Sequence, residues 1–467
     1  MGLWLSHLVE AVLSNRSFSA SRTADITWLG AVPDEWEIVP LRSALRRRRQ
    51  LVGIRSNEFT LLSLTLRGVI VRDLSRMKGK FPASFDTYQI VTPGDFVFCL
   101  FDVQETPRTV GLSQHNGMIT GAYDVYRLRS NASARFIAWQ MESFDNVKAL
   151  QPLYRGLRNT LPRAAFEGLR IALPSPEEQA LIVRFLDNAE LRILRAIQAK
   201  ERLLDLLIEQ RLAVFESVIA QHAFVRELVP GPNWFGDIPA TWNEKRLRGV
   251  LSESKSRSSS GAEPHYSMSQ RLGLVPARVG GGVLLSADYV GGRICAEGDI
   301  VLNRLKAHLG VFAVAPTLCV ISPDYTVLRV RDGSSPEFIC ALLRSRVFRP
   351  QLRINVRGLV EGFWRLYTPD LMRLSIPVPP RNIQDSIMAE VDAQWSRLDT
   401  AMRAVREEIE LLREYRIKLI SDVVTGKKDV RTEAAGMKDL DPAELARVLG
   451  GTTETGNDGA EGDDDAE

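Results

Sequence analysis

The sequence predicts an α+β chain built as an internal tandem repeat. Two mixed α/β domains alternate with two long helices, which pair as an antiparallel coiled coil and give the chain pseudo-two-fold symmetry. Three observations carry this. Two stretches show helical apolar periodicity over more residues than a small core needs. Each follows a turn-rich segment of domain size. The two halves also resemble each other at a nearly constant offset.

The second helical stretch, residues 384–428, places Val391, Trp395, Leu398, Met402, Val405, Ile409, Leu412, Leu419 and Val423 at steps of four and three, the a/d rhythm of a coiled coil; Arg416 interrupts it. Pro379-Pro380 bars helix before it and Gly426 ends it. At 1.5 Å per residue such a rod spans roughly 65 Å, so it needs a second long helix to pack against. That helix is predicted over about 177–221, with a stripe of Ile182, Phe185, Leu186, Ile193, Ile197, Leu204, Leu207, Phe215 and Val218. Ser175 followed by Glu178 forms a capping box at its start. Arg211 stands where Arg416 stands in the later copy. A compact domain joins the end of one helix to the start of the other, which makes antiparallel pairing the simplest arrangement.

The repeat extends through the domains. WLGAVPDEW at 28–36 maps onto WFGDIPATW at 234–242 with an offset of 206. PGDFVFCLF (93–101) parallels EGDIVLNRL (297–305), RGL at 155–157 recurs at 357–359, and LRIALP (169–174) matches LSIPVP (374–379). From Gln179 and Gln384 onward the two helices run in register at an offset of 205. Strand-like runs bounded by turn residues fall at 89–91, 96–100, 300–302 and 326–330. The predicted divisions are an N-terminal segment 1–24, a first domain 25–174, a first helix 175–222, a second domain 223–379, a second helix 380–428 and an acidic tail 429–467, expected to be disordered.

Composition narrows the chemistry. Cys99, Cys295, Cys319 and Cys340 show no metal-ligand spacing and read as free thiols of a reducing compartment. From Thr432 onward 11 acidic residues face 2 basic ones, so residues 1–431 carry a net +12 within a chain total of +3. A basic folded body points to a polyanionic partner. No apolar run reaches membrane-spanning length. The opening MGLWLSHLVEAVL lacks the basic lead of a secretory signal and is expected to be a short amphipathic helix; its match to a myristoylation pattern at Gly2 and Ser6 is read as chance. There is no Walker loop, HExxH, GxSxG elbow or strand-linked GxGxxG, and Ser322-Pro323-Asp324-Tyr325 is no substitute for an amino-methyltransferase tetrapeptide. Pro-Asp pairs at 33–34, 323–324 and 369–370 lack a following Glu-x-Lys. No catalytic residue and no metal site is predicted.

The candidate binding residues are basic and polar positions in domain loops. In the first domain they are Arg67, Arg72, Lys78, Lys80, Arg108, Thr109, Arg155 and Arg158, with Arg46–Arg49 as a further basic loop or helix surface. In the second they are Lys255, Arg257, Arg271, Arg293, Asn303, Arg304, Lys306, Arg353 and Arg357. Arg and Lys neutralise phosphates, while Arg and Asn can also read guanine and adenine edges bidentately.

The arrangement resembles the specificity (S) subunit of type I restriction–modification systems. The resemblance rests on WLGAVPDEW and WFGDIPATW opening the halves and on PGD and EGD within them. It rests also on GDIVLNRLKAHLG followed by SPDYTVLR, on LPSPEEQ and VPPRNIQ entering the helices, and on LLREYRIKLISDVVTGKKD closing the second. It covers about 25–431. It implies that each domain is a target recognition domain reading one half of a bipartite, asymmetric site in double-stranded DNA. The helices would set the gap and dock two methylation (M) subunits, with Leu204, Leu207, Arg211, Leu412, Arg416 and Leu419 as the docking positions. The chain would be a non-catalytic subunit directing adenine methylation and restriction, within a complex that is a type I site-specific deoxyribonuclease and an adenine-specific DNA methyltransferase. It would bind no cofactor itself; S-adenosylmethionine, ATP and Mg would sit on partner subunits. Restriction (R) subunits join where the system cuts DNA, and the location would be the bacterial or archaeal cytoplasm, on DNA. Two departures stand out: CLFDVQET in the first half replaces NRLKAHL of the second, and the acidic tail lies outside the family pattern. The competing readings are a self-sufficient methyltransferase–endonuclease, opposed by the missing motifs, and a coiled-coil adaptor without DNA, opposed by the charge of the folded body.

Overall fold

The computed structural model describes residues 18, 21–23, 28–72, 84–129, 131–270, 272–277, 289–358, 364–441, 444–445 and 447–448. The predicted N-terminal helix, Lys78, Lys80, Arg271 and the chain beyond 448 lie outside them. Two compact units form, one drawn from Met1–Ala199 and Ile409–Thr453, the other from Lys200–Glu408.

The first unit is built on a four-stranded antiparallel sheet. Its strands are β1 (Leu45–Arg48), β2 (Asp95–Phe98), β3 (Val110–Leu112) and β4 (Asp124–Leu128), in the order β1-β4-β2-β3. Helix α1 (Ala134–Asn146) follows and leads to the long helix α2 (Pro176–Ala223). The second unit repeats the plan with β5 (Leu251–Ser254), β6 (Ile300–Asn303), β7 (Phe312–Val314) and β8 (Tyr325–Val330) in the order β5-β8-β6-β7, then α3 (Pro336–Arg344) and the long helix α4 (Arg381–Val424). The central strands are rich in β-branched and aromatic residues and are buried, as strands inside a sheet should be. The Arg46–Arg49 run, expected as a loop or helix surface, is instead mostly strand β1: Arg47 pairs with Asp124 at 2.8 Å and Arg48 with Asp95 at 2.6 Å.

The repeated sequence signals prove to be structural joints. Gly94 and Gly298 adopt φ of 86° and 82°, which lets the chain turn tightly into β2 and β6. The aspartates after them anchor cross-strand arginines: Asp95 binds Arg48 and Arg127, and Asp299 binds Arg329 through two 2.9 Å contacts. Trp28 Nε1 donates to the Arg170 carbonyl at 2.9 Å, and Trp234 Nε1 donates to that of Ser375 at 2.8 Å. Ser133 and Ser335 cap α1 and α3. The Ser133 N–H donates to Gln179 Oε1 (2.7 Å) while Gln179 Nε2 donates to the Pro174 carbonyl (2.8 Å). Gln384 does the same for Ser335 and Pro379, both at 2.8 Å. One buried amide thus ties each domain helix to the start of the following long helix.

Both long helices are confirmed, of 48 and 44 residues. Ser175 Oγ accepts the Glu178 N–H at 3.2 Å, and Pro176 occupies the first turn, where its missing N–H costs nothing. Within the first unit α2 and α4 meet through Glu190 with Arg416, and Phe185 meets Lys428 just past the end of α4; within the second they meet through Lys200 with Glu408, Arg211 with Asp399 and His222 with Glu390. Partner numbers fall along α4 as they rise along α2, so the pairing is antiparallel in each unit. Phe215 of α2 and Val391 of α4 join the core of the second domain with Trp242, Phe312 and Phe338. Ile182 and Leu186 of α2 are buried in the first unit, as are Trp36, Phe136 and Trp139. Gly426, at φ 75°, ends the helical run after α4; a Cβ there would lie 2.2 Å from Pro33 Cδ, which only glycine avoids.

The tail departs from expectation. Residues after 428 were expected to be disordered, yet Val430 and Ala434 are buried and Arg431–Ala435 is a short helix. The chain then runs along α2. Arg184 meets Asp439 at 2.6 Å, Arg195 meets Glu444 at 2.5 Å, and Leu445 packs with Leu191 and Leu194. Composition misled here because a few apolar residues among the acids are enough to dock on a helix that supplies arginines.

Gln179→Ala is expected to destabilise the first unit by about 2–4 kcal/mol, since it breaks two hydrogen bonds and leaves buried polar groups without partners. Amide hydrogen exchange at the start of α1 should rise while α3 stays protected; Gln384→Ala should do the reverse.

Candidate nucleic-acid interface

The candidate residues divide by burial. Arg155, Arg158, Lys255, Arg257, Arg353, Arg357 and Arg72 are exposed. Arg67 is half-buried at the tip of the Leu62–Thr65 and Gly68–Val71 hairpin, and Lys306 is half-buried in the Arg304–Leu309 turn. Others are corrections, because they are used by the fold. Thr109 is buried, its N–H and hydroxyl both donating to Asp145 (2.8 and 2.7 Å). Asn303 is buried and caps the turn after β6, accepting the Leu305 and Lys306 N–H groups. Arg293 is mostly buried against Glu253 and the Ser254 carbonyl. Arg108 is 11 % exposed and paired with Glu142 at 2.8 Å.

The structure places exposed arginines beside each RGL segment. In the first unit Arg155 and Thr160 exchange backbone hydrogen bonds across a tight hairpin. Arg158 forms a two-pronged ion pair with Asp102 and stacks over Phe101 at 5.1 Å. Its charge and hydrogen bonds hold the Asp102 carboxyl below the usual carboxylate range. In the second unit Arg357 pairs across a bridge with Arg365. Arg357 and Arg373 share Asp370 (2.7 and 3.6 Å), while Arg304 and Arg365 share Asp324 (3.6 and 3.9 Å). Four guanidiniums over two carboxylates leave this cluster net positive. Arg365 and Arg373 were missed in the sequence because neither sits beside a repeated motif; the bridge and the shared aspartates bring them in. Among the described residues no group of acidic, histidine or cysteine side chains is arranged to hold a metal, and no helix is long and apolar enough to cross a membrane.

The predicted docking positions also divide by burial. Leu204 and Leu419 are buried; Leu207 and Leu412 are half-buried. The outward apolar positions are Leu203, Leu206 and Leu411. Arg416, the break in the heptad rhythm, is not outward either. It binds Glu190 through two hydrogen bonds (2.7 and 2.8 Å) and Glu142 at 2.7 Å. Glu142 in turn holds Arg108, so one buried cluster joins a domain loop, α1, α2 and α4. Burial alone would raise the Glu142 pKa, but the charges and hydrogen bonds of Arg108 and Arg416 prevail and hold it at about 2. The repeat breaks at the same place in the second unit. At the offsets of 202 between the caps and 205 between the helices, Arg344 stands for Glu142 and Trp395 for Glu190. Arg211 therefore lies over the Trp395 ring at 4.1 Å, with Asp399 at 3.3 Å. A cavity of about 350 Å³ opens beside Arg211 and Arg344. Burial, with Arg344 adding to it against the pull of Asp399, lowers the Arg211 pKa.

Glu142→Gln should cost about 3–5 kcal/mol at pH 7, because it leaves buried arginine charge with too few partners. The carboxyl pKa is lower folded (about 2) than unfolded (4.5), so its contribution is present above pH 4.5 and is lost as pH falls toward 2. Urea titrations of wild type and variant should therefore differ at pH 7 and converge near pH 2.

No family model matches the chain, and no curated protein matches it. Among solved structures, a chain from work on complex assembly and conformational transition of the type I R-M system is 16% identical, with a TM-score of 0.48, covering 84% of this chain and 98% of that one. The HsdS subunit from Thermoanaerobacter tengcongensis is 17% identical, with a TM-score of 0.35 and coverage of 85% and 98%. The type I restriction–modification S subunit from M. genitalium is 12% identical, with a TM-score of 0.31 and coverage of 83% and 96%. Over most of its length, the chain is similar to chains of type I restriction–modification systems.

Proposed function

We propose that this chain is the DNA sequence-recognition subunit of a type I restriction–modification complex. The observation that carries the reading is the repetition of one domain-and-helix plan with different loops on each copy. The helix-to-domain joints at Gln179 and Gln384 are the same. The segments after β2 and β6 differ: a turn at 102–105 in the first unit stands against the Arg304–Leu309 helix in the second. Two unlike readers on a common frame suit an asymmetric site in two parts. The exposed arginines around the RGL turns suit phosphate contact, and the apolar positions Leu203, Leu206 and Leu411 suit docking of methylation subunits. Those subunits would carry S-adenosylmethionine and methylate adenine, and restriction subunits would carry the nuclease and its ATP and Mg. This chain contributes recognition and spacing, and its working place is cytoplasmic DNA.

Single-molecule mapping of methyl-adenine with and without the chain tests this. A split, asymmetric motif should vanish on its deletion; a methylome that does not change would overturn the reading. Removing residues 403–406 together with the facing 204–207 should shorten the rod by about 6 Å, close to two base-pair steps. The mapped gap is then expected to shrink while both half-sites persist, and an unaltered gap would rule out the spacing role.

A further inference from the structure

Leu157, at the tip of the first RGL turn, is wholly exposed. Nothing in the fold requires an apolar side chain there. The turn is made by its backbone: Arg155 and Thr160 pair, Gly156 and Asn159 take positive φ (70° and 41°), and the Asn159 N–H donates to Gly156. The tip is also braced from below. Asp102 N–H donates to the Arg158 carbonyl at 2.7 Å, and Asn159 Nδ2 donates to Glu105 at 2.6 Å. The result is a tightly hydrogen-bonded turn carrying a bare leucine between Arg155 and Arg158.

The repeat supplies the second argument. The residues retained between the halves are mostly joints, such as Trp28 and Trp234 or Gln179 and Gln384, whose hydrogen bonds explain them. Arg-Gly-Leu is also retained, at 155–157 and 357–359, although Leu157 packs against nothing. Ile54 offers a contrast: it is as exposed, but its place after β5 is taken by Ser260.

We propose that Leu157 is a specificity-determining residue of the first domain, contacting the apolar edge or face of a base while the flanking arginines hold phosphates. This rests on the DNA-reading assignment above. In the major groove an apolar side chain meets the thymine methyl. A rigid tip delivers it with little loss of freedom.

The test is methylation mapping in a strain whose split motif depends on this chain. With Leu157→Ala the motif should persist, but one position in one half-site should lose discrimination by roughly tenfold. The other half-site should be unaltered, and Leu157→Met should restore the position. Arg155→Ala, a phosphate contact, should instead lower methylation at all sites alike. An unaltered motif with Leu157→Ala, a loss spread over both half-sites, or complete loss of methylation would overturn the inference. A motif that does not depend on the chain at all would overturn the DNA-reading assignment, and the inference with it.

Discussion

The buried cluster of Arg108, Glu142, Arg416 and Glu190 is the constraint on which the first unit depends. Apolar seams hold helices together, but they tolerate sliding by one heptad. A doubly hydrogen-bonded arginine does not, because a slip of one turn would leave Arg416 and Glu190 buried without each other and Glu142 with Arg108 alone. Since Glu142 sits on the domain helix and Glu190 on the long helix, the cluster sets the domain on the rod as well as the rod on itself. The Gln179 and Gln384 amides repeat this logic without charge. Each makes the first residues of a long helix and the cap of a domain helix one object, so any displacement of a helix is passed to its domain.

The second unit solves the same problem differently. With Trp395 and Arg344 in place of the two glutamates, Arg211 is held by a ring face and one aspartate, and a cavity is left beside it. The pairing direction is the same, but the joint is less fully satisfied. Duplication preserved the backbone plan and allowed the buried chemistry to diverge.

Much of the fold could be read from periodicity and repetition. The heptad rhythm, the proline stops and Gly426 located both long helices, and the constant offset announced the repeated sheet-and-helix plan. The sheet order could not be read, because short strands pair across distant segments and leave no local trace. The functional surface was the least legible. Arg108, Thr109 and Asn303 look like polar loop residues in sequence, yet each is consumed by the fold. Whether an arginine faces water or a buried carboxylate depends on partners such as Glu142, 34 residues away in sequence. Arg416 looked like a flaw in the heptad and proved to be its lock.

The first unit is discontinuous in the chain, since its long-helix partner arrives only with residues 409–453. Among the described residues the second unit is continuous. On a ribosome the first domain therefore emerges early but waits for the residues that cover α2. At about 5–20 residues per second, that wait is some tens of seconds at the slow end. Through it, Leu191, Leu194 and the glutamates that will bind Arg416 stand uncovered, while the second unit can complete itself. The order of assembly is thus reversed relative to the order of synthesis, and the segment from Ile409 closes the structure that began first.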